Sequence, residues 1–272
     1  MPHFNNFFSA FLIFLVILNK HSFSEEQIIK IDNDLLPTLS VGTTISIAPR
    51  YEGSSNYKSS ISPFLFPNFS GPVGLVDFRG IDDIRLKLLQ NKMFELGPLF
   101  GYRIGRHEDD CKKLKGLGNI DDGLVLGGFM RASLFSSIYA SLSLHHLATG
   151  DKNGSQLRFG LEYEIQPITN ASIIARMVAT YADEEHMGKY FGITEVQHYN
   201  SGGTFRRYNA EAGIKDFNFS LGGNIKLYNM FQLNLIGRYA RLIGHAADSP
   251  IVDKEDQFSA SFGLVFNFKK FN

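Results

Sequence analysis

Residues 256–268 alternate between large apolar and small polar side chains. Phe258, Ala260, Phe262, Leu264, Phe266 and Phe268 take every second position, while Ser259, Ser261, Gly263 and Asn267 fill most of the gaps. A period of two places successive side chains on opposite faces of an extended strand, so this segment has one greasy and one small polar face. A soluble sandwich strand can alternate in the same way, and the constraint comes from recurrence. Leu96, Pro98, Phe100, Tyr102 and Ile104 oppose Gly97, Gly101, Arg103 and Gly105. Ile138, Ala140, Leu142 and Leu144 oppose Tyr139, Ser141, Ser143 and His145. Phe159, Leu161, Tyr163 and Ile165 oppose Arg158, Gly160, Glu162 and Glu164, and Phe217, Phe219, Leu221, Ile225 and Leu227 oppose Asn218, Ser220, Gly222, Asn224 and Lys226. No charge falls on an apolar face. A lipid-embedded sheet requires that arrangement, because a charge on its lipid side at mid-bilayer costs about 2–4 kcal/mol.

The N-terminus supplies a compartment. Residues 7–18 are apolar apart from Ser9, too short a run to span a bilayer, and Ser22-Phe23-Ser24 places small residues where a signal peptidase reads. A signal peptide over 1–24, cleaved before Glu25, is expected. No later stretch is as long or as apolar, a hydropathy profile that reads as soluble but that a strand-built membrane protein shares, because only alternate residues face lipid. The 25 Phe, 11 Tyr and 26 Gly fit that class, although Trp, common at membrane interfaces, is absent. Of the 27 Lys and Arg only Lys20 lies in 1–24, so 26 basic face 27 acidic groups after cleavage, and nothing points to nucleic acid. The single Cys111 has no disulfide partner within the chain.

Loop lengths set the expected topology. Connections near 69–71, 91–93, 133–135, 166–169 and 228–231 are short. Those near 50–58, 105–121, 146–155, 180–212 and 242–256 are longer and polar, with a tight turn at 80–82 as the exception. Taking 181–212 as one excursion restores strict alternation and predicts an all-β, antiparallel transmembrane β-barrel of about twelve strands over 40–272, with both termini periplasmic and 25–39 as a periplasmic lead-in. No internal repeat or linker divides it.

The strand phases turn Arg79, Arg85, Lys87, Arg103, Arg131, Arg158, Arg176, Lys226 and Arg238 inward, against Asp77, Glu162 and Glu164. A water-filled interior with that surplus favours anions. Alternatively the same groups pair with one another and with loop acids such as Asp183, Glu184 and Glu185, and fill the interior. In the 181–212 excursion, Tyr190-Phe191-Gly192-Ile193 is too apolar for a free loop, and Tyr190, Phe191 and Gly192 are expected to constrict the mouth. Catalytic and metal readings are weaker. His145 and His146 are adjacent on a strand and point apart, so they cannot share an ion, and they read as a pair at a loop edge. His245, Asp248 and Ser249 contain the elements of a hydrolytic triad, but three such residues within five positions read more simply as a turn before Pro250. The charged run at 105–113 and the Asp121–Asp122 pair read as solvated loops. No cofactor is expected.

Several loop segments resemble one family. Tyr51-Glu52-Gly53-Ser54, Gly105-Arg106, Leu114-Lys115-Gly116-Leu117-Gly118-Asn119-Ile120-Asp121, Tyr190-Phe191-Gly192-Ile193-Thr194 and Ser201-Gly202-Gly203 occur in order. The sharpest is 241–252, Arg-Leu-Ile-Gly-His-Ala-Ala-Asp-Ser-Pro-Ile-Val, in which His245 replaces an acid. These are similar to motifs of the MipA/OmpV family of outer-membrane proteins and span about 40–268. Lys269-Lys270-Phe271-Asn272 departs from the family's usual aromatic terminus. The resemblance implies a Gram-negative outer-membrane protein that is not an enzyme. It further implies a scaffold linking a peptidoglycan lytic transglycosylase to a bifunctional peptidoglycan synthase, set among outer-membrane lipid and lipopolysaccharide. The alternatives are a small-solute channel with weak anion preference and a surface adhesin.

Overall fold

A computed structural model of the protein describes residues 37–66, 76–149, 154–228 and 230–269. The expected signal peptide, nearly all of the expected lead-in, the expected turn at 69–71 and the residues after Lys269 lie outside that set. Thirteen strands follow in order: β1 (Pro37–Pro49), β2 (Tyr57–Phe66), β3 (Val76–Gly80), β4 (Asp83–Leu86), β5 (Leu89–Gln90), β6 (Phe94–Arg103), β7 (Gly123–Phe135), β8 (Ile138–Leu147), β9 (Ser155–Ile168), β10 (Ala171–Ala182), β11 (Gly213–Tyr228), β12 (Phe231–Leu242) and β13 (Asp256–Lys269). Among the described residues three short α-helices and a 3₁₀ turn (Lys112–Leu114) sit in the loops: α1 (Glu184–Tyr190), α2 (Glu195–Asn200) and α3 (Gly244–Ala247). Every strand pairing is antiparallel.

The sheet is inside-out. Leu126, Phe159, Leu161, Met177, Phe217, Phe219 and Phe258 are exposed on one face, whereas Arg79, Asp82, Asp83, Arg85, Arg131, Glu162 and Arg176 are buried on the other. A continuous exposed apolar face with charges behind it suits lipid outside and polar contacts inside. The strand phases read from the sequence hold along β6, β8, β9, β11 and β13.

The sheet order runs β2-β1-β13-β12-β11-β10-β9-β8-β7-β6-β4-β3, with β5 also on β6. Its ends, β2 and β3, are not paired with each other among the described residues. The closed twelve-stranded transmembrane barrel expected from the sequence is therefore corrected to an open thirteen-stranded sheet. At one edge β3 and β4 have only 5 and 4 residues, so they offer few main-chain groups for further pairing. The count rises by one because the stretch between the expected turn at 80–82 and the expected connection near 91–93 is two strands and not one. Ile84 pairs with Phe100 and Arg85 with Leu99, but Leu89 pairs with Leu96, a slip of one residue that separates β4 from β5. Gly97 makes room for it: a Cβ there would lie 1.9 Å from the Leu86 carbonyl oxygen.

The open sheet is nonetheless strongly curled. Arg79 on β3 and Glu162 on β9 form an ion pair, although β4, β6, β7 and β8 lie between them in the sheet. In a flat sheet, five spacings of about 4.8 Å would hold these strands about 24 Å apart. The sheet must wrap around its polar face for the two side chains to meet.

Candidate functional site

Three charged groups fill the concave side. In the first, Glu162 lies among Arg79, Arg131 and Arg176, with Arg131 Nε at 3.3 Å and Arg176 Nε at 3.8 Å. Arg176 and Glu162 are direct cross-strand partners on β10 and β9, so register alone sets that pair. Arg131 also reaches Glu95 and Glu164, Lys87 lies 3.3 Å from Glu95, and Arg79 holds Asp77 at 2.8 Å. In the second, the β3–β4 turn is driven inward and both Asp82 and Asp83 are fully buried. Asp82 accepts from Arg158 at 2.7 Å and Arg103 at 3.2 Å, and Arg85 donates to both oxygens of Asp83. In the third, Lys215 Nζ lies 2.6 Å from Asp216 and 2.7 Å from Glu52.

The third group depends on a bulge. Thr180 pairs with Asp216 but Tyr181 pairs with Ile214, so Lys215 is an extra residue in β11. Neighbouring residues of a regular strand point apart; here Lys215 and Asp216 are both buried. Simple alternation would have sent the lysine toward lipid.

At the loop end the second and third groups border one cavity of about 170 Å³. Residues from β1, β2, β6, β9, β10, β11, β12 and β13 line it, together with Tyr190 and His186 of α1. Seven basic side chains (Arg50, Lys58, Arg103, Arg106, Arg158, Lys215 and Arg238) face four acidic ones (Glu52, Asp82, Asp110 and Asp216). Arg106 is poorly compensated. Its Nη1 donates to the Tyr190 carbonyl at 2.9 Å, no carboxylate pairs with it among the described residues, and burial brings its pKa down to about 10. Gly105 allows this placement, since a Cβ there would lie 1.8 Å from the Ile120 carbonyl oxygen, and Arg106 itself bridges Ile120.

A packed loop layer lies over the cavity. Asp183 caps α1 by accepting from the His186 amide, and Thr194 with Gln197 forms a capping box on α2. Met187 and Phe191 are buried with Ala182, Ala210, Leu242 and Ala246, while Tyr51, Leu114, Leu117, Ile193, Phe205 and Ile251 make a second apolar cluster. His186 is fully enclosed, stacked on Tyr190 at 4.4 Å and 2.9 Å from Gln156 through Nε2; burial first, then Arg103, holds its pKa well below the ordinary histidine value.

Of the residues expected inside, Arg103, Arg158 and Arg238 line the cavity, while Arg85, Lys87, Arg131, Glu162, Glu164 and Arg176 belong to the ion-pair groups further along the sheet. Lys226 sits near the opposite end of β11, half-buried. Of the three residues expected at the mouth, Tyr190 lines the cavity, whereas Phe191 and Gly192 lie in the packed layer behind it. Sequence reasoning missed Asp82, Asp83, Arg106, Lys215 and Asp216. The only local signals were adjacent like or opposite charges at strand ends, which alternation cannot place. His145 is also corrected. It is buried within β8, with Nδ1 3.2 Å from the Asp82 carbonyl and Nε2 3.0 Å from Ser143, while the exposed His146 turns away to Ser155. Ser249 donates to the Phe191 carbonyl, and His245 lies beside Tyr208 and Glu211. Among the described residues no cluster of three or more His, Cys, Asp or Glu is arranged to hold a metal.

The family model described as "MltA-interacting protein MipA" matches residues 41–268. No curated protein matches the chain. Among solved structures, a bacterial polysaccharide outer membrane secretin is 10% identical, with 87% of this chain and 100% of that chain covered and a TM-score of 0.48. The NanC porin is 8% identical (84% and 98% covered, TM-score 0.39), and OmpT of Vibrio cholerae is 6% identical (89% and 99%, TM-score 0.35).

Proposed function

The chain belongs to the MltA-interacting protein MipA family of non-catalytic outer-membrane proteins, and on that footing we propose that it admits small anionic solutes through its curled polar interior. The observation that carries this reading is the cavity's excess of seven basic over four acidic side chains. A polar, low-dielectric enclosure with one sign of charge in surplus concentrates the opposite ion. The loop layer and the ion pairs around Glu162 narrow the path, so conductance is expected to be small. Purified protein in planar bilayers under a potassium chloride gradient is expected to show a reversal potential toward that of chloride. A cation-selective or absent conductance would overturn the proposal.

A second reading, carried by the sequence resemblance and by a family description that names only an interaction with MltA, is a scaffold that joins a lytic transglycosylase to a peptidoglycan synthase. Reversible crosslinking in intact cells separates the two. Enrichment of both enzymes above an unrelated outer-membrane protein of equal abundance supports the scaffold, and their absence leaves the anion path.

A further inference from the structure

We propose that the cavity holds a specific oxyanion site, built by Arg106 and Tyr190 with Arg103 and Arg238, for a compact phosphate- or carboxylate-bearing solute. Four buried polar atoms on residues that line it find no hydrogen-bond partner among the described residues: Arg106 Nε, Arg103 Nη1, Arg238 Nε and the Tyr190 hydroxyl. All four can donate. Arg103 and Arg106 are 5% and 7% exposed, so neither is a surface guanidinium turned to bulk water. A buried donor without an acceptor carries its full desolvation cost, and an ionised donor carries more. Four of them around one cavity describe a receptor for negative charge, and planar guanidinium forks match the oxygens of carboxylate and phosphate.

The donors belong to one connected frame. Arg106 holds the Tyr190 backbone carbonyl, the Tyr190 ring stacks on His186, His186 meets Gln156, and Gln156 accepts from Arg103 at 3.2 Å. A frame fixed this way presents its donors before a ligand arrives, which lowers the cost of ordering on binding. The cavity's roughly 170 Å³ lies below the about 300 Å³ at which drug-sized pockets begin, so a free small anion fits better than a lipid headgroup with its sugars.

The site rests on the reading of this cavity as a place for anions, but binding and conductance are separable. Calorimetric titration of the full-length protein, refolded in detergent, with inorganic phosphate, sulfate, citrate and chloride is expected to show saturable binding of oxyanions and none of chloride. Arg106→Gln is expected to weaken phosphate binding at least about tenfold, as loss of a charge-assisted contact implies. Because that change also removes the tie to the Tyr190 carbonyl, Tyr190→Phe is the second arm. It deletes only a hydroxyl without a hydrogen-bond partner among the described residues, so folding is expected to be retained and affinity to fall about fivefold. Arg241→Gln, at an exposed ion pair outside the cavity, leaves binding unchanged. Absence of saturable oxyanion binding, or equal affinity in wild type, R106Q and Y190F, overturns the site even if the protein conducts. Binding lost in both variants supports it even if the protein conducts nothing, an outcome that would end the conduit reading alone.

Discussion

At the scale of single residues, Glu162 and His186 bear the heaviest electrostatic load. Glu162 is 3% exposed and surrounded by three guanidinium groups. Glu162→Gln keeps the shape but takes the shared carboxylate from those cations, and removing one partner of a buried ionic cluster typically costs about 3–5 kcal/mol. Urea titration of the lipid-refolded variant is the check, and a loss below 1 kcal/mol would show that the arginines re-pair with Glu95, Asp77 and Glu164. His186 is held neutral by burial, with a folded pKa well below the ordinary value near 6.5. In the window between those two values the unfolded chain binds more protons than the folded one, so stability rises with pH there and is flat above about 6.5. Thermal melts at pH 7.5 and pH 5.5 are expected to show a loss on acidification that His186→Gln reduces. The identity of such residues was partly legible: Arg103, Arg158 and Glu162 follow from strand phase, whereas Arg106 looked like part of a solvated loop. Its burial depends on Ile120, Tyr190 and the layer above it, which are remote in sequence.

At the scale of elements, alternation identified nearly every strand because side-chain period is a local property of extended chain. It failed where the ladder slips. The break between β4 and β5 and the extra Lys215 in β11 each shift register by one residue, and a one-residue slip reverses which face a side chain takes. Nothing local forces either slip; partner strands do. Within the 181–212 excursion, residues 190–193 were legible as too apolar to hang free, but the two capped helices packed over the cavity were not. Deleting residues 186–194 removes α1, Tyr190 and Phe191 from that layer. Single-channel conductance is expected to rise, and an unchanged conductance would mean that the ion pairs around Glu162, not the loop layer, limit passage.

At the scale of the whole molecule, the exposed apolar face and the buried charged face divide lipid from polar interior. Leu161 is 52% exposed on the apolar face, between the inward Gly160 and Glu162. Leu161→Arg is expected to cost about 2–4 kcal/mol in a bilayer and far less in detergent, where the guanidinium reaches water, so comparing unfolding in the two media isolates the lipid contact. The amino-acid sequence by itself determined the strands, their two faces and the family, because alternation and loop motifs are written in neighbouring residues. Only the tertiary structure decided that β2 and β3 do not pair among the described residues, that the sheet curls enough for Arg79 to meet Glu162, and that Asp82, Arg106 and Lys215 turn inward. Those outcomes depend on register and curvature summed over many strands, and no short stretch of chain contains that sum.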